Sequence, residues 1–204
     1  PARSIHLLKE TKHVPKNILS VEEVKLLLGS PSGTIFEIRD KAVLEVMYAT
    51  AIRTGELNGI NLTDLNLKDN EILIRDIKNK KERLVPLGKR GKQTLEDYLK
   101  NSRPQLNKKD TETAVFLMDM GARMNHYGVR KILNRNLKRL GTGLKITPHC
   151  LRHSAATHML QNGSPIEMIQ RLLGHESLRS TEIYTRVLWE DLKKVLGKKY
   201  LGKA

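Results

Sequence analysis

The spacing of hydrophobic residues predicts helices along most of the chain. In LSVEEVKLLL, apolar residues recur at three- and four-residue intervals, as on one face of a helix. Ser20 is a suitable N-cap, Glu23 completes a capping box three residues later, and Gly29 closes this helix. Further helices are expected through DKAVLEVMYAT (40–50), KQTLEDYLKN (92–101) and NHYGVRKILNRNLKRL (125–140).

One stretch breaks the helical spacing. EILIR (71–75) and RLVPL (83–87) are rich in aliphatic and β-branched residues, and they flank a polar, lysine-rich segment. This pattern is typical of a β-hairpin with a solvated tip. We therefore predict a mainly α-helical fold with a small antiparallel β-sheet, in the α+β class.

Proline and glycine mark the helices near the C-terminus. Thr147 is expected to cap a helix that has Pro148 at its first position and runs to Gly163. The next helix is predicted to start from a second capping box, SPIE (164–167), with proline at its first position. It should end before Gly174.

The charge of the chain is strongly unbalanced. Lys and Arg total 37 against 22 Asp and Glu, which gives a net charge of +15. This excess indicates a polyanionic partner, most often nucleic acid, with an anionic membrane surface or a merely solvated surface as alternatives. The single cysteine, Cys150, excludes a disulfide within the chain and fits a reducing cytoplasmic compartment. We find no signal peptide and no apolar run long enough to span a bilayer.

Four of the seven histidines lie within the stretches TPHCLRHSAATHML and LLGHESLRSTEIYT. His149 and Arg152 share one face near the start of a helix, where backbone N–H groups and the helix dipole favour an anion. These residues alone fit a phosphate site and an ordinary capped helix start equally well. His149 and His153 have the spacing of two zinc ligands, but the absence of an HExxH pattern and of accompanying carboxylates argues against a metal. His153 and His158 are expected to be structural, with hydrogen bonds to the backbone.

The same stretches resemble the signature of the tyrosine recombinase (phage integrase) family, in its Xer-like and bacterial integrase branch. The family pattern is H-x-x-R, then an LGH segment, then a tyrosine nine residues later, as here. An earlier arginine occurs in YATAIRTGEL, and a hairpin lysine in DIKNKKERLVPL. The resemblance covers residues 16–195. Its six matched positions, in chain order, are Arg53, Lys78, His149, Arg152, His175 and Tyr184.

The resemblance implies that several of these residues bind the scissile phosphate. Arg53 and Arg152 would meet the negative charge that grows on the non-bridging oxygens, with planar, permanently charged forks. His175 would hydrogen-bond the phosphate or steady the tyrosine segment. Glu56 is expected to orient Arg53 and to take no part in the chemistry.

The remaining matched residues would carry the bond-making and proton-transfer steps. Tyr184 would attack the phosphorus and form a covalent 3′-phosphotyrosyl intermediate, and His149 would act as its general base. Lys78 would protonate the leaving 5′-oxygen as general acid. Lys80 and Lys81 lie in the same lysine-rich segment and are alternatives for that role.

The resemblance also predicts the domain organisation. Residues 1–15 would be a linker or arm, and residues 16–204 the catalytic domain. The tail at 187–204 would pack either in trans on a neighbouring protomer or in cis on its own core. Family members typically carry a separate N-terminal core-binding domain, for which this chain has no room.

The implied function is that of a site-specific recombinase or integrase that cuts and rejoins duplex DNA. The partner would be double-stranded DNA, bound by a homotetramer on paired sites, with a monomer in isolation. No cofactor, no metal and no membrane are expected, and the location would be cytoplasmic, at the nucleoid. Basic side chains outside the site are candidates for DNA-backbone contacts. They are Lys89, Arg90, Lys92, Arg123, Arg130, Lys131, Arg135 and Lys138.

Three other functions compete with this prediction. A type IB topoisomerase shares the chemistry and would relax supercoils as a monomer. A DNA-binding module without catalysis would be expected to have lost one of the six matched residues. A zinc-dependent nuclease would lose its activity in the presence of a chelator, whereas a tyrosine recombinase would not.

The segment around the first arginine departs from the family pattern. Ala51 stands where the family usually has glycine, and Thr54 and Gly55 stand where a small pair such as Val-Ser is common. These changes are expected to alter the local turn without affecting Arg53.

Overall fold

The computed structural model of the chain describes residues 18–29, 33–76, 81–109 and 112–174. Within these ranges the chain is mainly helical with one small antiparallel sheet, as the hydrophobic pattern predicts. The helices are α1 Val21–Gly29, α2 Ile35–Thr50, α3 Thr54–Gly59, α4 Lys89–Asp97, α5 Arg103–Leu106, α6 His126–Leu140, α7 Pro148–Gln161 and α8 Ile166–Leu173. The strands are β1 Leu65–Asn66, β2 Glu71–Asp76 and β3 Lys81–Pro86.

The central helix of the fold is α2. It begins behind a capping box in which Thr34 and Glu37 satisfy each other's backbone N–H groups. Its apolar residues between Ala42 and Met47 are almost completely buried and form the middle of the main hydrophobic core, whereas Phe36 in its first turn is 38% exposed. It ends at Ala51, whose φ of 49° and ψ of 29° place it in the left-handed region. That turn sends the chain directly into α3.

The capping box predicted for the first helix is present. The Ser20 N–H donates to the Glu23 carboxylate at 2.7 Å, and the Glu23 N–H donates to the Ser20 hydroxyl at 3.1 Å. The apolar face of α1, with Val24, Leu27 and Leu28 buried, joins the main core.

The predicted hairpin is formed by β2 and β3. The pairing places Ile72 opposite Val85 and Ile74 opposite Arg83. Ile72, Ile74 and Val85 are fully buried, so one face of the sheet closes the core. The two-residue strand β1 was not predicted, and it pairs with the outer edge of β2. Residues 77–80, which join β2 to β3, lie outside the described part of the chain.

The middle helices follow the predicted segments with one addition. After α4 the chain makes a π-helical turn at Tyr98–Ser102 and continues into α5. The buried Tyr98 hydroxyl donates to the Val115 carbonyl at 3.0 Å and accepts from the Leu117 N–H at 3.1 Å. Burial raises the pKa of Tyr98 to about 12, so the phenol stays neutral.

Of the two helices predicted after Thr147, α7 starts as predicted and α8 does not. Thr147 caps α7 by accepting from the Cys150 N–H at 3.3 Å, with Pro148 at the first position. The capping box predicted at 164–167 is wrong, because Pro165 is itself the N-cap of α8 and no side chain caps it. The Ser164 N–H donates to the Met159 carbonyl at 3.0 Å and so belongs to the C-terminal turn of α7.

A second, smaller core holds α7 and α8 against the end of α2. It contains Ala51, Ala155, Ala156, Ile169 and Leu173. The small side chains of α7 allow its backbone to approach α2 closely. As a result, the first turns of α7 lie beside the turn that joins α2 to α3. Among the described residues, no helix has both the length and the apolar character that a membrane span requires.

Candidate active site

Three of the predicted site residues line a single cavity of about 720 Å³. Arg53 comes from the turn between α2 and α3, whereas His149 and Arg152 come from the first turns of α7. About a hundred residues separate the two segments, and the packing of α7 on α2 brings them together. The other lining residues are Ile52, Thr54, Gly55, Glu56, Arg75, Asp76, His126 and Pro148.

Arg53 is the more open of the two predicted arginines in this cavity. It is the N-cap residue of α3, and its side chain is 41% exposed. Its backbone N–H donates to Glu56 Oε2 at 2.7 Å, and its Nη1 donates to Glu56 Oε1 at 3.3 Å. The predicted contact between Glu56 and Arg53 is therefore present. Asp76 at the end of β2 lies 3.9 Å from the same Nη1.

Arg152 is buried, with only 2% of its side chain exposed. Its Nη1 donates to the Ala51 carbonyl at 2.7 Å, and its Nη2 donates to the Leu173 carbonyl at 2.8 Å. These two bonds fix the plane of the guanidinium group. They also connect the left-handed end of α2 to the C-terminal end of α8 through one side chain.

Glu56 is a buried carboxylate shared by three arginines. Besides Arg53, it pairs with both terminal nitrogens of Arg83 at 2.8 and 3.0 Å, and with Arg152 at 3.7 Å. Burial alone acts to raise the pKa of Glu56. Hydrogen bonds from Arg83 and from the Arg53 backbone, with the charges of Arg83 and Arg152, outweigh burial and lower the pKa below its usual range. Glu56 is therefore a permanent anion at neutral pH.

His149 is held in its neutral form. Partial desolvation lowers its pKa, and the positive charges of Arg152 and Arg53 lower it further. The His153 ring packs edge-on against it, with ring centroids 4.3 Å apart and an interplanar angle of 86°. Burial, followed by His149 and Arg152, lowers the pKa of His153 to about 4. A neutral imidazole beside two arginines can accept a proton at pH 7.

His158 lies away from the cavity and is structural, as predicted. It is buried, and its Nδ1 is 2.8 Å from the Tyr48 hydroxyl on α2. Burial lowers its pKa, and a backbone hydrogen bond with Leu19 acts in the opposite direction. Among the described residues, no group of three or more His, Cys, Asp or Glu is arranged to hold a metal ion.

None of the other three predicted catalytic residues belongs to the described part of the chain. Lys78, His175 and Tyr184 lie outside the described residues, as does Lys80. Lys81, the other alternative for the acid, is described: it begins β3 and lines a neighbouring groove with Met168 and Leu172.

Several residues of the site were missed by sequence reasoning. His126 begins α6, and its ring lies against Gly55. A Cβ atom added to Gly55 would be 3.5 Å from His126 Nε2. Arg75 and Asp76 line the cavity from β2, and Arg83 contacts Glu56 from β3. No motif marks His126, Arg75 or Asp76. Arg83 lies within the segment DIKNKKERLVPL that located the hairpin lysine, and strand alternation there would have placed it on the opposite face from Leu84.

Many of the candidate DNA-contact residues form ion pairs within the chain. Arg90 pairs with Glu45 at 2.5 Å, and Lys131 with Asp119 at 3.7 Å. Further pairs join Lys92 to Glu96, Arg123 to Glu112 and Arg135 to Asp40.

Comparison with known proteins gives a consistent result. The model of the phage integrase family matches residues 17–190. The chain is 39% identical over 188 residues to tyrosine recombinase XerD of Halalkalibacterium halodurans, covering 92% of this chain and 62% of that protein. It is 41% identical over 204 residues to tyrosine recombinase XerC of Thermodesulfovibrio yellowstonii, covering 98% of this chain and 67% of that protein. The chain thus spans about two thirds of the length of these relatives.

Solved structures show the same likeness in three dimensions. The crystal structure of XerA recombinase superposes with a TM-score of 0.74 at 28% identity, covering 87% of this chain and 64% of that one. The XerH site-specific recombinase, bound to its difH substrate in a pre-cleavage complex, gives a TM-score of 0.71 at 26% identity, covering 83% of this chain and 50% of that one.

Proposed function

The chain belongs to the phage integrase family, and on this premise we propose that it cuts and rejoins duplex DNA as the catalytic part of a tyrosine recombinase. The observation that carries the proposal is the shared cavity of Arg53, His149 and Arg152. Two cations and a neutral imidazole meet there, although they come from distant segments. This set of groups suits phosphoryl transfer without a metal.

The two arginines would stabilise the transition state. Negative charge accumulates on the non-bridging oxygens as the nucleophile approaches, and a fixed cation costs little reorganisation at that moment. The carbonyl oxygens of Ala51 and Leu173 hold Arg152 in place before DNA binds. Arg53 is more exposed and would meet the phosphate from the open side of the cavity.

Tyr184 would be the nucleophile. Its phenolic oxygen attacks the phosphorus, a 3′-phosphotyrosyl bond forms, and the bond to the 5′-oxygen breaks. The phenol proton passes to His149, and Lys78 gives a proton to the departing 5′-oxygen. His175 would donate a hydrogen bond to the phosphate. Attack by a 5′-hydroxyl from another strand reverses these steps and rejoins the DNA.

Double-stranded DNA is the proposed partner. The net charge of +15 favours a polyanion, and the structurally similar XerH is bound to its difH substrate. We propose that residues 16–204 form the catalytic domain behind a linker at 1–15. The active assembly would be a homotetramer on paired sites, with the tail at 187–204 packed in trans or in cis, and it would work at the nucleoid. The type IB topoisomerase alternative is not favoured, because the relatives described above are recombinases.

Covalent trapping on DNA tests this proposal. Duplexes with 5′-bridging phosphorothiolates at random positions are incubated with the protein in EDTA, beside the Tyr184→Phe variant. The sulfur leaving group needs little protonation and religates poorly, so a covalent adduct should accumulate with the wild type alone. DNA binding without an adduct from either protein would contradict the proposal. Strand cleavage that occurs without EDTA, leaves no adduct and is abolished by EDTA would favour a metal-dependent nuclease.

A further inference from the structure

Arg83 has no role in the chemistry proposed above, yet it contacts the centre of the site. Its side chain leaves β3 and is only 17% exposed. Nη1 donates to Glu56 Oε1 at 2.8 Å, and Nη2 donates to Glu56 Oε2 at 3.0 Å. Nε donates to the Leu172 carbonyl at 2.9 Å. The guanidinium group is thus fixed by three bonds to two different elements.

The contacts of Glu56 follow a clear order of distance. Arg83 makes a bidentate pair at 2.8 and 3.0 Å, whereas the nearest side-chain contacts of Arg53 and Arg152 are 3.3 and 3.7 Å. A buried carboxylate must be neutralised by nearby cations, because an unpaired charge is costly in that environment. Arg83 supplies that cation and occupies both oxygens. The two arginines proposed to bind phosphate are left with the longer contacts.

Without Arg83, the Glu56 carboxylate would have to find another cation. Arg53 and Arg152 are the cations already beside it. A shorter, bidentate pair with either one would turn its donors toward Glu56 and away from the cavity. Glu56 would then compete with the scissile phosphate for the same guanidinium groups.

We propose that Arg83 is a positioning residue that saturates Glu56 and so keeps Arg53 and Arg152 available to the scissile phosphate. This inference rests on the proposed function. Glu56 then has two opposite effects. Its carboxylate orients Arg53, but it would also compete with the phosphate for Arg53 and Arg152 if Arg83 did not neutralise it.

The end of α8 supports a fixed position for Arg83. Arg83 and Arg152 donate to the consecutive carbonyls of Leu172 and Leu173, so both side chains cap the same helix. Gly174 follows with a φ of 62°, and a Cβ there would lie 3.0 Å from Arg83 Nη1. The guanidinium group is therefore held between α8 and Glu56.

Removing the charge of Glu56 together with Arg83 provides the test. The variants are Arg83→Met, Glu56→Gln and their combination, with Arg83→Lys and Arg83→Lys/Glu56→Gln as a milder series. Arg103→Met is the matched control, since Arg103 is also a buried arginine, but it donates to the carbonyls of Ala114 and Glu112, away from the cavity. Each protein is measured for its single-turnover rate of adduct formation, its Kd for the same duplex by fluorescence anisotropy, and its Tm.

Arg83→Met is expected to slow adduct formation at least about tenfold, as for contacting residues of one charged network. The Arg83→Met/Glu56→Gln double variant should form adduct at least about threefold faster than Arg83→Met, because no carboxylate remains to pair with Arg53 and Arg152. A double variant as slow as Arg83→Met, or slower, with its Tm retained, would overturn the proposal. The same comparison in the lysine series decides the matter if Arg83→Met does not fold. Arg103→Met should lower Tm without slowing the rate of the folded protein.

The failure of the proposed function would be seen separately. If the wild type forms no adduct at Tyr184, the recombinase chemistry is wrong, but the Kd values still report on Arg83. Arg83→Met should then weaken duplex binding, and the double variant should bind more tightly than Arg83→Met. Equal affinities for these two variants would contradict the role of Arg83.

Discussion

At the scale of single residues, the position of Arg152 depends on the backbone of Ala51. Ala51 is completely buried in the left-handed region, and its carbonyl accepts from Arg152 Nη1. Left-handed geometry costs an L-residue with a side chain about 1–2 kcal/mol relative to glycine. Burial of the Ala51 methyl group returns about 0.8 kcal/mol. Burial therefore offsets a substantial part of the strain, which accounts for the presence of alanine where the family usually has glycine.

Substitutions at Ala51 should therefore be strongly asymmetric. We expect Ala51→Gly to change the free energy of unfolding by less than about 1 kcal/mol, and Ala51→Val to lower it by more than about 2 kcal/mol, because a β-branched residue is both strained and overpacked there. Urea denaturation measures both. Ala122→Val, at an exposed position, is the control and should stay within about 0.5 kcal/mol of the wild type. A loss in Ala51→Val no larger than the control would show that the turn is not strained.

His153 should make the stability of the protein depend on pH. Its pKa is about 4 in the folded chain, below the ordinary value of 6.5, so the unfolded chain binds the proton more tightly. Its contribution to stability is present above the unfolded pKa and is lost as pH falls toward 4. We expect the decrease in Tm between pH 7 and pH 5 to be smaller in His153→Gln than in the wild type. His149 and His158 also have lowered pKa values and should supply the remaining slope. An unchanged slope in His153→Gln would refute the assignment.

The candidate site could be predicted from sequence only where chemistry leaves a motif. Arg53, His149 and Arg152 were found because their residue types and order match the family pattern, and the structure places all three on one cavity. Arg83 and His126 were not found. Their contacts with Glu56 and Gly55 depend on how β3 and α6 pack against α3, which no local spacing reveals.

At the scale of elements, the segment before α1 is anchored to α7. The Leu19 N–H donates to Ser154 Oγ at 2.8 Å, and Ser154 Oγ donates to the Cys150 carbonyl at 2.9 Å. Both Leu19 and Ser154 are buried. The link joins the region next to the predicted linker to the helix that carries His149 and Arg152.

Ser154→Ala should weaken this junction. The substitution leaves the buried Leu19 N–H without a partner, which should lower the free energy of unfolding by about 1–3 kcal/mol. Thr94→Ala is the control, because the Thr94 hydroxyl bonds only to carbonyls of its own helix, and its loss should stay under about 0.5 kcal/mol. Chemical denaturation of both variants checks the difference. Equal losses would mean that the Leu19 bond adds nothing to stability.

Regular elements were easier to predict than irregular ones. The capping box of α1, the hairpin of β2 and β3, and the Thr147 cap of α7 each depend on residues close in sequence. The two-residue strand β1 is too short to show strand alternation, although its partners Glu71 and Ile72 are close in sequence. The π-helical turn contains Tyr98, whose hydroxyl bonds to the more distant carbonyl of Val115. The second capping box failed because the backbone of Ser164 was already used by the turn that ends α7.

At the scale of the whole molecule, we expect the basic residues to divide into those that bind DNA and those that stabilise the fold. Arg130 is exposed on α6, four residues after His126 and therefore on the same face. Arg135 instead pairs with the buried Asp40.

We expect Arg130→Ala to reduce the slope of log K for duplex binding against log salt by about 1, as for one lost phosphate contact. Arg135→Ala should leave that slope unchanged and lower the free energy of unfolding, because it removes a partner of a buried carboxylate. Fluorescence anisotropy titrations of duplex DNA at salt concentrations from about 50 to about 200 mM measure this slope for each variant. A changed slope in Arg135→Ala alone would reverse the assignment.

We propose that DNA becomes covalently attached to Tyr184 while Arg53 and Arg152 bind the scissile phosphate. The most direct measurement is peptide mass spectrometry of the trapped adduct after digestion of the protein and the DNA. We predict a residual nucleotide on the peptide that contains Tyr184, and a strongly reduced yield of that peptide from Arg53→Ala and Arg152→Ala. Attachment to any other residue, or full adduct yield without the two arginines, would contradict the account.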